Sequence, residues 1–452
     1  MSRSLTRRAV LKAAALTPPV FAAGSLAAPF VRGAYAAGKL SVGIWDHWVP
    51  GASQVIQKMA QDWAAKEKVD LSFDLITSNG DKLALTVAAE AQARVGHDVM
   101  HFQPFYAAFH SDKLVPIDDL VKEQIAKYGE PAPGAIYLGK FDGSWAAMPT
   151  AYGSSALPPC ARIDLFKKYA DLDVTKMYPV ADTGGEELRE KWTWENFIGV
   201  AEKCFKGGNP IGMCMSTATD GVHTNDSVFR AFGARLVDEK GNVTVRNDAT
   251  RQALEWFQRL VKFMPEATFA WDNASNNKFL VSGQGSMIFN PPSAWGVAVR
   301  DAPQIAEQLW TFNSPKGPKG RFDSGTYGHW GIWQFAKNKE AGKAFLRFMT
   351  TRENQEKLVT AGHGFDIPPF KSMMDFPVWK EAAPPKGTNY NFPPRRDVEV
   401  NVVYYPAPPK LGAQMYAQAT IQKMIATCTQ QGKSIEQAMA VAEEEIEGFR
   451  RI

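Results

Sequence analysis

The chain has 452 residues, with 51 Lys and Arg against 47 Asp and Glu and a formal charge of +4. The cations Arg3, Arg7, Arg8, Lys12 and Arg32 lie in the first 36 residues, which hold no acid, so the remainder is near neutral at −1. A near-neutral body gives no electrostatic case for binding nucleic acid or an anionic membrane face, and its roughly 416 residues exceed what one hydrophobic core usually serves, so two domains are expected.

At the N-terminus Thr6-Arg7-Arg8-Ala9-Val10-Leu11-Lys12 precedes an alanine-rich stretch from Ala13 to Ala28 and then Ala34-Tyr35-Ala36. That is the order of a charged segment, an apolar segment and a small-residue cleavage site. The paired arginines, followed by an apolar pair and a lysine, resemble the twin-arginine export signal, which implies export of a folded protein with residues 1–36 removed after Ala36. Thr17-Pro18-Pro19 breaks the apolar stretch, which falls short of the ~20 residues of a membrane span, so a soluble mature protein is expected. A retained amphipathic N-terminus is the alternative.

In the body of the chain, Leu40-Ser41-Val42-Gly43-Ile44-Trp45 alternates as a strand does, and Val55, Ile56, Met59 and Trp63 follow at helical spacing. A second strand is predicted over Val69–Ile76, a second helix carries Leu83 and Val87, and a third strand is Val99-Met100-His101-Phe102. This strand-helix-strand-helix-strand order predicts a parallel α/β sheet, on which ligands bind beyond the carboxyl ends of the strands. Those ends read Trp45-Asp46-His47-Trp48, Thr77-Ser78-Asn79-Gly80-Asp81 and Gln103-Pro104-Phe105-Tyr106. They are aromatic or hydrogen-bonding with few charges, the lining suited to a neutral polar ligand.

From Gly153 the composition changes. Helices are predicted around Asp164–Tyr169, Trp194–Phe205 and Arg251–Phe263, with a hairpin where Leu236-Val237 and Val243-Thr244-Val245 flank a turn. Thr350 with Glu353, and Ser434 with Gln437, are spaced as N-terminal capping boxes. The Pro-rich stretch from Pro384 to Pro409 reads as ordered loop. Cys160 is the first cysteine, which excludes a lipid-anchored cysteine at the mature N-terminus. Cys160, Cys204, Cys214 and Cys428 admit three pairings, and free buried thiols remain equally open.

Six segments resemble family 1 extracellular solute-binding proteins, the maltose-binding-protein-like receptors of ABC importers. They are the strand-helix entry closing at Gly96-His97-Asp98-Val99; Leu114-Val115-Pro116-Ile117-Asp118; Gly143-Ser144-Trp145-Ala146-Ala147-Met148-Pro149; Thr193-Trp194-Glu195-Asn196-Phe197; Phe279 through Asn290, with Ser286 where alanine is usual; and Gly331-Ile332-Trp333 through Phe345, then Ile367-Pro368-Pro369. The resemblance implies the periplasmic-binding-protein fold, two discontinuous α/β lobes joined by a hinge: 38–149 with 322–375, and 150–321 with 376–452. It also implies a small polar solute, carbohydrate first, held between the lobes of a periplasmic monomer that delivers it to a membrane permease.

By position, the resemblance carries ligand contact onto Trp45, Asp46 and His47 after the first strand, and onto Gln103, Phe105 and Tyr106 after the third. Asp46 either accepts two ligand hydroxyls or caps the following turn, and Trp45 is either contact or core. In the second lobe it points to Asn290, Ser293 and Trp295, and to Tyr404 and Tyr405, where packing is the alternative. Tyr327, His329 and Trp330 precede the return into the first lobe, and their polar-aromatic density favours the ligand. No cofactor is expected. His97, His101 and His110 lack the companions of a metal set, and neither a nucleophile elbow nor a phosphate loop occurs. A secreted glycoside hydrolase with two carboxylates across a cleft is the rival reading.

Overall fold

A computed structural model describes residues 38–177, 185–290, 293–381 and 398–451. The proposed signal and most of the Pro-rich stretch lie outside the described residues.

The first sheet has the order β2-β1-β3-β12-β6. Strands β1 (Lys39–Trp45), β2 (Asp70–Ile76) and β3 (Val99–Phe102) are mutually parallel; β12 (Thr326–Ile332) adds antiparallel to β3, and β6 (Met148–Ser155) antiparallel to β12. The parallel strands are joined by helices Ala52–Glu67 and Lys82–Ala93, as the alternating periodicities predict. Val42, Ile44, Val99, Met100 and Phe102 are fully buried, so both faces of the central strands are covered. A short hairpin, β4 (Lys140–Phe141) and β5 (Ser144–Trp145), lies beside this sheet's entry to β6.

The second sheet has the order β10-β7-β9-β8, from β10 (Leu309–Thr311), β7 (Pro159–Arg162), β9 (Met287–Phe289) and β8 (Ile211–Gly212). Helices Trp194–Lys206 and Asp248–Leu260 pack beside it, and Trp256 donates from Nε1 to the Trp194 carbonyl at 2.6 Å, with both rings fully buried. The chain passes between the sheets after Ser155 and returns before Thr326, and these two residues are paired across the crossing. The first sheet therefore keeps β6 beyond the break expected at 149. Strand β11 (Arg321–Ser324) pairs in parallel with β13 (Val398–Asn401) and packs on helix Thr219–Phe232 of the second lobe, with the Ser324 amide donating to Ser227 Oγ at 2.8 Å.

Two local readings change. Thr350 Oγ donates back to the Leu346 carbonyl at 2.7 Å and finishes helix Lys339–Met349, so the next helix, Arg352–Ala361, is capped by Thr351, which accepts from the Asn354 amide. The Ser434–Gln437 capping box is formed. The predicted hairpin reduces to a single bridge, Val237 to Val243, because Asp238 Oδ1 ties the turn together by accepting from the Lys240 and Asn242 amides. All four cysteines are buried and free.

Candidate ligand-binding cleft

The carboxyl ends of β1, β2 and β3 face the second sheet across a cleft with two communicating cavities. The inner one is bordered on the first-lobe side by Trp45, Trp48, Ser78, His101, Gln103 and Phe365, with Gly153, Ser155, Thr326 and Gly328 of the crossing strands at its floor. The second lobe contributes Thr219, Asp220, Asn273, Asn290 and Ser293. The outer cavity, of about 500 Å³, shares Ser78, Gln103, Thr219 and Asn273 with the inner one and adds Asp81, Tyr106, Trp271, Asp272 and Tyr416.

Trp45 is held by a Nε1–H bond to Ser78 Oγ at 3.1 Å and by the rings of His47, Tyr152 and Phe365, so only an edge reaches the cavity. Trp48 is half-buried and meets Trp45 edge-on at 6.4 Å. Neighbouring His47 turns away from the cleft. Its Nδ1 accepts the Val49 amide at 2.9 Å, leaving Nε2–H to donate to the buried Asp366 carboxylate at 3.0 Å. Asp366 also accepts the Gly153 amide at 2.7 Å, fixing β6 to the loop after β1. Asp46 is exposed and accepts from Ser53 Oγ at 2.7 Å; it closes the turn into helix Ala52–Glu67.

Gln103 borders both cavities and Tyr106 the outer one. Phe105 is buried instead, packed on Tyr416 with ring centroids 5.0 Å apart. In the second lobe Asn290, Ser293 and Asn277 form a closed set: Asn290 Nδ2 donates to Asn277 Oδ1 at 2.6 Å, Ser293 Oγ to Asn290 Oδ1 at 2.9 Å, and Asn277 Nδ2 to Ser293 Oγ at 3.1 Å. This set stiffens the wall that faces Trp48. Trp295 points elsewhere, meeting His363 edge-on at 5.7 Å.

Trp330, His329 and Tyr327 lie within the protein, away from both cavities. Trp330 is fully buried and donates from Nε1 to His101 Nδ1 at 3.1 Å, and His329 Nε2 sits 2.9 Å from the Ala135 carbonyl. Alternation explains Tyr327 and His329: Gly328 and Thr326 of β12 face the cleft, and neighbours on a strand point to opposite faces. Trp330 shares the parity of Gly328 but is covered by His101, which borders the cavity in its place. Tyr404 is buried, with its amide donating to Asp226 Oδ1 at 3.2 Å, and Tyr405 is exposed in a separate hollow beside Arg235 and Lys319.

Sequence reasoning did not single out Asp220 and Asn273. Asp220 follows from the strand-end rule once β8 is seen, since Ser216-Thr217-Ala218-Thr219-Asp220 trails that strand, and two residues are too few to show alternation; Asn273 lies in the loop after Glu266–Ala270 and follows no strand. Asp220 is part-buried in the first turn of helix Thr219–Phe232. Burial pushes its carboxyl up to about 7 against the bond donated by Asn276, and nearby Asp272 adds to the rise. Burial also lowers His101 to about 3, aided by His329 and His47, so it stays neutral. Among the described residues no cluster of three or more His, Cys, Asp or Glu is arranged to hold a metal ion.

Two α/β sheets, linked by adjacent crossing strands and lining one cleft with rings, amides and hydroxyls, define a two-lobed solute-binding protein. The family model described as bacterial extracellular solute-binding protein matches residues 48–356, and the chain belongs to that family. Its fold is similar to maltose-bound MalE3 of T. maritima, with a TM-score of 0.70 and 21% identity over 91% of this chain and 99% of that one. It is also similar to an Arthrobacter chlorophenolicus A6 sugar transporter with bound laminaribiose, at TM-score 0.71 and 13% identity over 91% and 99% of the two chains. An ABC transporter solute-binding protein of Agrobacterium vitis S4 with bound D-mannitol gives TM-score 0.66 and 20% identity over 92% and 99%. No curated protein matches the sequence.

Proposed function

We propose that this protein is the periplasmic receptor of an ABC importer, exported as a folded monomer by the twin-arginine route, and that it captures a carbohydrate or polyol in the cleft and presents it to a membrane permease. The observation that carries the reading is a family-defining fold whose cleft is walled by rings and hydrogen-bonding side chains from both lobes. Flat rings and convergent amides suit a ligand with an apolar face and a rim of hydroxyls. The solved relatives were captured with maltose, laminaribiose and D-mannitol, which supports the same chemical class here.

In this reading the first lobe is 38–149 with 322–375 and the second 150–321 with 376–452, with the first junctions drawn toward Ser155 and Gly325 where the chain changes sheets. Ligand favours the closed arrangement because only there do both walls touch it. The protein acts without chemical turnover.

Thermal shift of the purified protein against sugars, disaccharides, polyols and amino acids tests this. A ligand at a hundredfold excess over its Kd stabilises by about 2.7 kcal/mol. A reproducible rise with carbohydrates or polyols, with the compound recovered intact, is expected; a rise with amino acids alone, or hydrolysis of a glycan, would overturn it.

A further inference from the structure

We infer that the cleft is built for a polyhydroxylated ligand that also carries a positive charge, an amino-bearing sugar or polyol, with its ammonium group set against Asp220. This rests on the receptor reading above and narrows the ligand class.

The inner and outer cavities share residues from both lobes and form one continuous space. Its charged wall groups are all acidic: Asp220 in the inner cavity, Asp81 and Asp272 in the outer, with neither Lys nor Arg among the described lining residues. Asp272 is already engaged, accepting from Ser275 Oγ at 2.6 Å and from the Ala274 amide at 3.0 Å. Asp220 is different. Its Oδ2 accepts from Asn276 Nδ2 at 2.5 Å, no cation pairs with it among the described residues, and the carboxylate borders the inner cavity.

A carboxylate drawn partly out of water at a cleft wall without a cation is costly. Neutral hydroxyls do not require it, since the same wall already offers amides from Asn273 and Asn290. An ammonium ion offsets the cost directly, and the first turn of a helix favours the ionised carboxylate meanwhile. Trp48 on the opposite wall supplies ring surface to a cation or to the sugar face beside it.

Calorimetric titration of the purified protein with D-glucosamine, N-acetyl-D-glucosamine and D-glucose, and with the β-1,4-linked glucosamine disaccharide and its N-acetylated counterpart, tests the inference at pH 7.5. Each amine should bind about tenfold or more tightly than its neutral counterpart, and Asp220→Asn should abolish the difference. Lowering the pH to 5.5 offers a second arm that needs no variant. Protonation of Asp220 should erase the preference there: His101 across the cleft remains neutral, Asn273 and Asn276 beside it do not titrate, and Asp272, held below the usual carboxylate range by the Ser275 hydroxyl, keeps the same charge at both pH values. Neutral sugars binding as tightly as the amines, or a preference that survives both Asp220→Asn and pH 5.5, would overturn the charge assignment and leave the carbohydrate receptor standing. Heat from none of these compounds, with binding only of amino acids in the thermal-shift panel, would overturn both.

Discussion

Trp330 and Trp48 are both aromatic residues close to strand ends, yet they do different work. Trp330 is fully enclosed and bonded to His101, whereas Trp48 is half-buried at the inner cavity. Trp330→Ala should therefore cost about 3–5 kcal/mol by denaturant unfolding, while Trp48→Ala should leave stability within about 1 kcal/mol and weaken ligand binding. Equal stability loss in the two variants would refute the distinction. The buried histidines make a second residue-scale prediction. Burial lowers His101 to about 3 and His223 and His329 to about 4. Since the unfolded value is about 6.5, the unfolded chain takes up protons first as the pH falls, so stability is full above that pH and drains away toward pH ~4, by about 2 kcal/mol per histidine at pH 5. Asp220 slopes the other way: its carboxyl, raised to about 7, favours the fold at low pH and loses that contribution as the pH rises from about 4 through 7. Melting temperatures across pH 4–8 should show a steep acid limb, which His329→Gln makes shallower, and Asp220→Asn should raise the melting temperature at pH 8.

At the scale of elements, the crossing strands β6 and β12 decide how the lobes meet. A Cβ on Gly328 would stand 2.2 Å from the Tyr152 carbonyl oxygen, and Gly153, in the bulge of β6 beside it, has φ +82 against the His101 ring. The strands approach here more closely than any side chain allows, which places backbone rather than side chains at the cleft floor. Gly328→Ala should cost about 1–3 kcal/mol through overpacking, and it should alter ligand affinity because the floor shifts. An unchanged denaturation midpoint would show that the strands move apart freely. The same scale explains the capping error at Thr350. Thr350 and Thr351 both suit an N-cap, and which one serves is decided by where helix Lys339–Met349 ends, since Thr350 Oγ is taken by the Leu346 carbonyl.

For the whole molecule, side chains far apart in sequence are tied together outside the cavities: Tyr137 Oη donates to the Ala407 carbonyl at 2.5 Å, and Trp295 meets His363. The proposed twin-arginine route would act on the entire folded chain. Replacing Arg7-Arg8 with Lys-Lys should leave the protein in the cytoplasm, as fractionation would show, and normal export would refute the twin-arginine assignment. The sequence alone determined the α/β class and the strand-helix entry, because hydrophobic periodicity is local and repeats within each element. It also determined the family, through ordered segments spread along the chain. Gln103 and Tyr106 border the cavities as strand ends suggest, and Asn290 and Ser293 border the inner one at positions to which the family resemblance pointed. The facing of Trp330, the inward turn of His47 onto Asp366 and the arrival of Asp220 opposite Trp48 were decided only by the tertiary structure. Each depends on which face of an element meets a partner hundreds of residues away, and no local pattern encodes that choice.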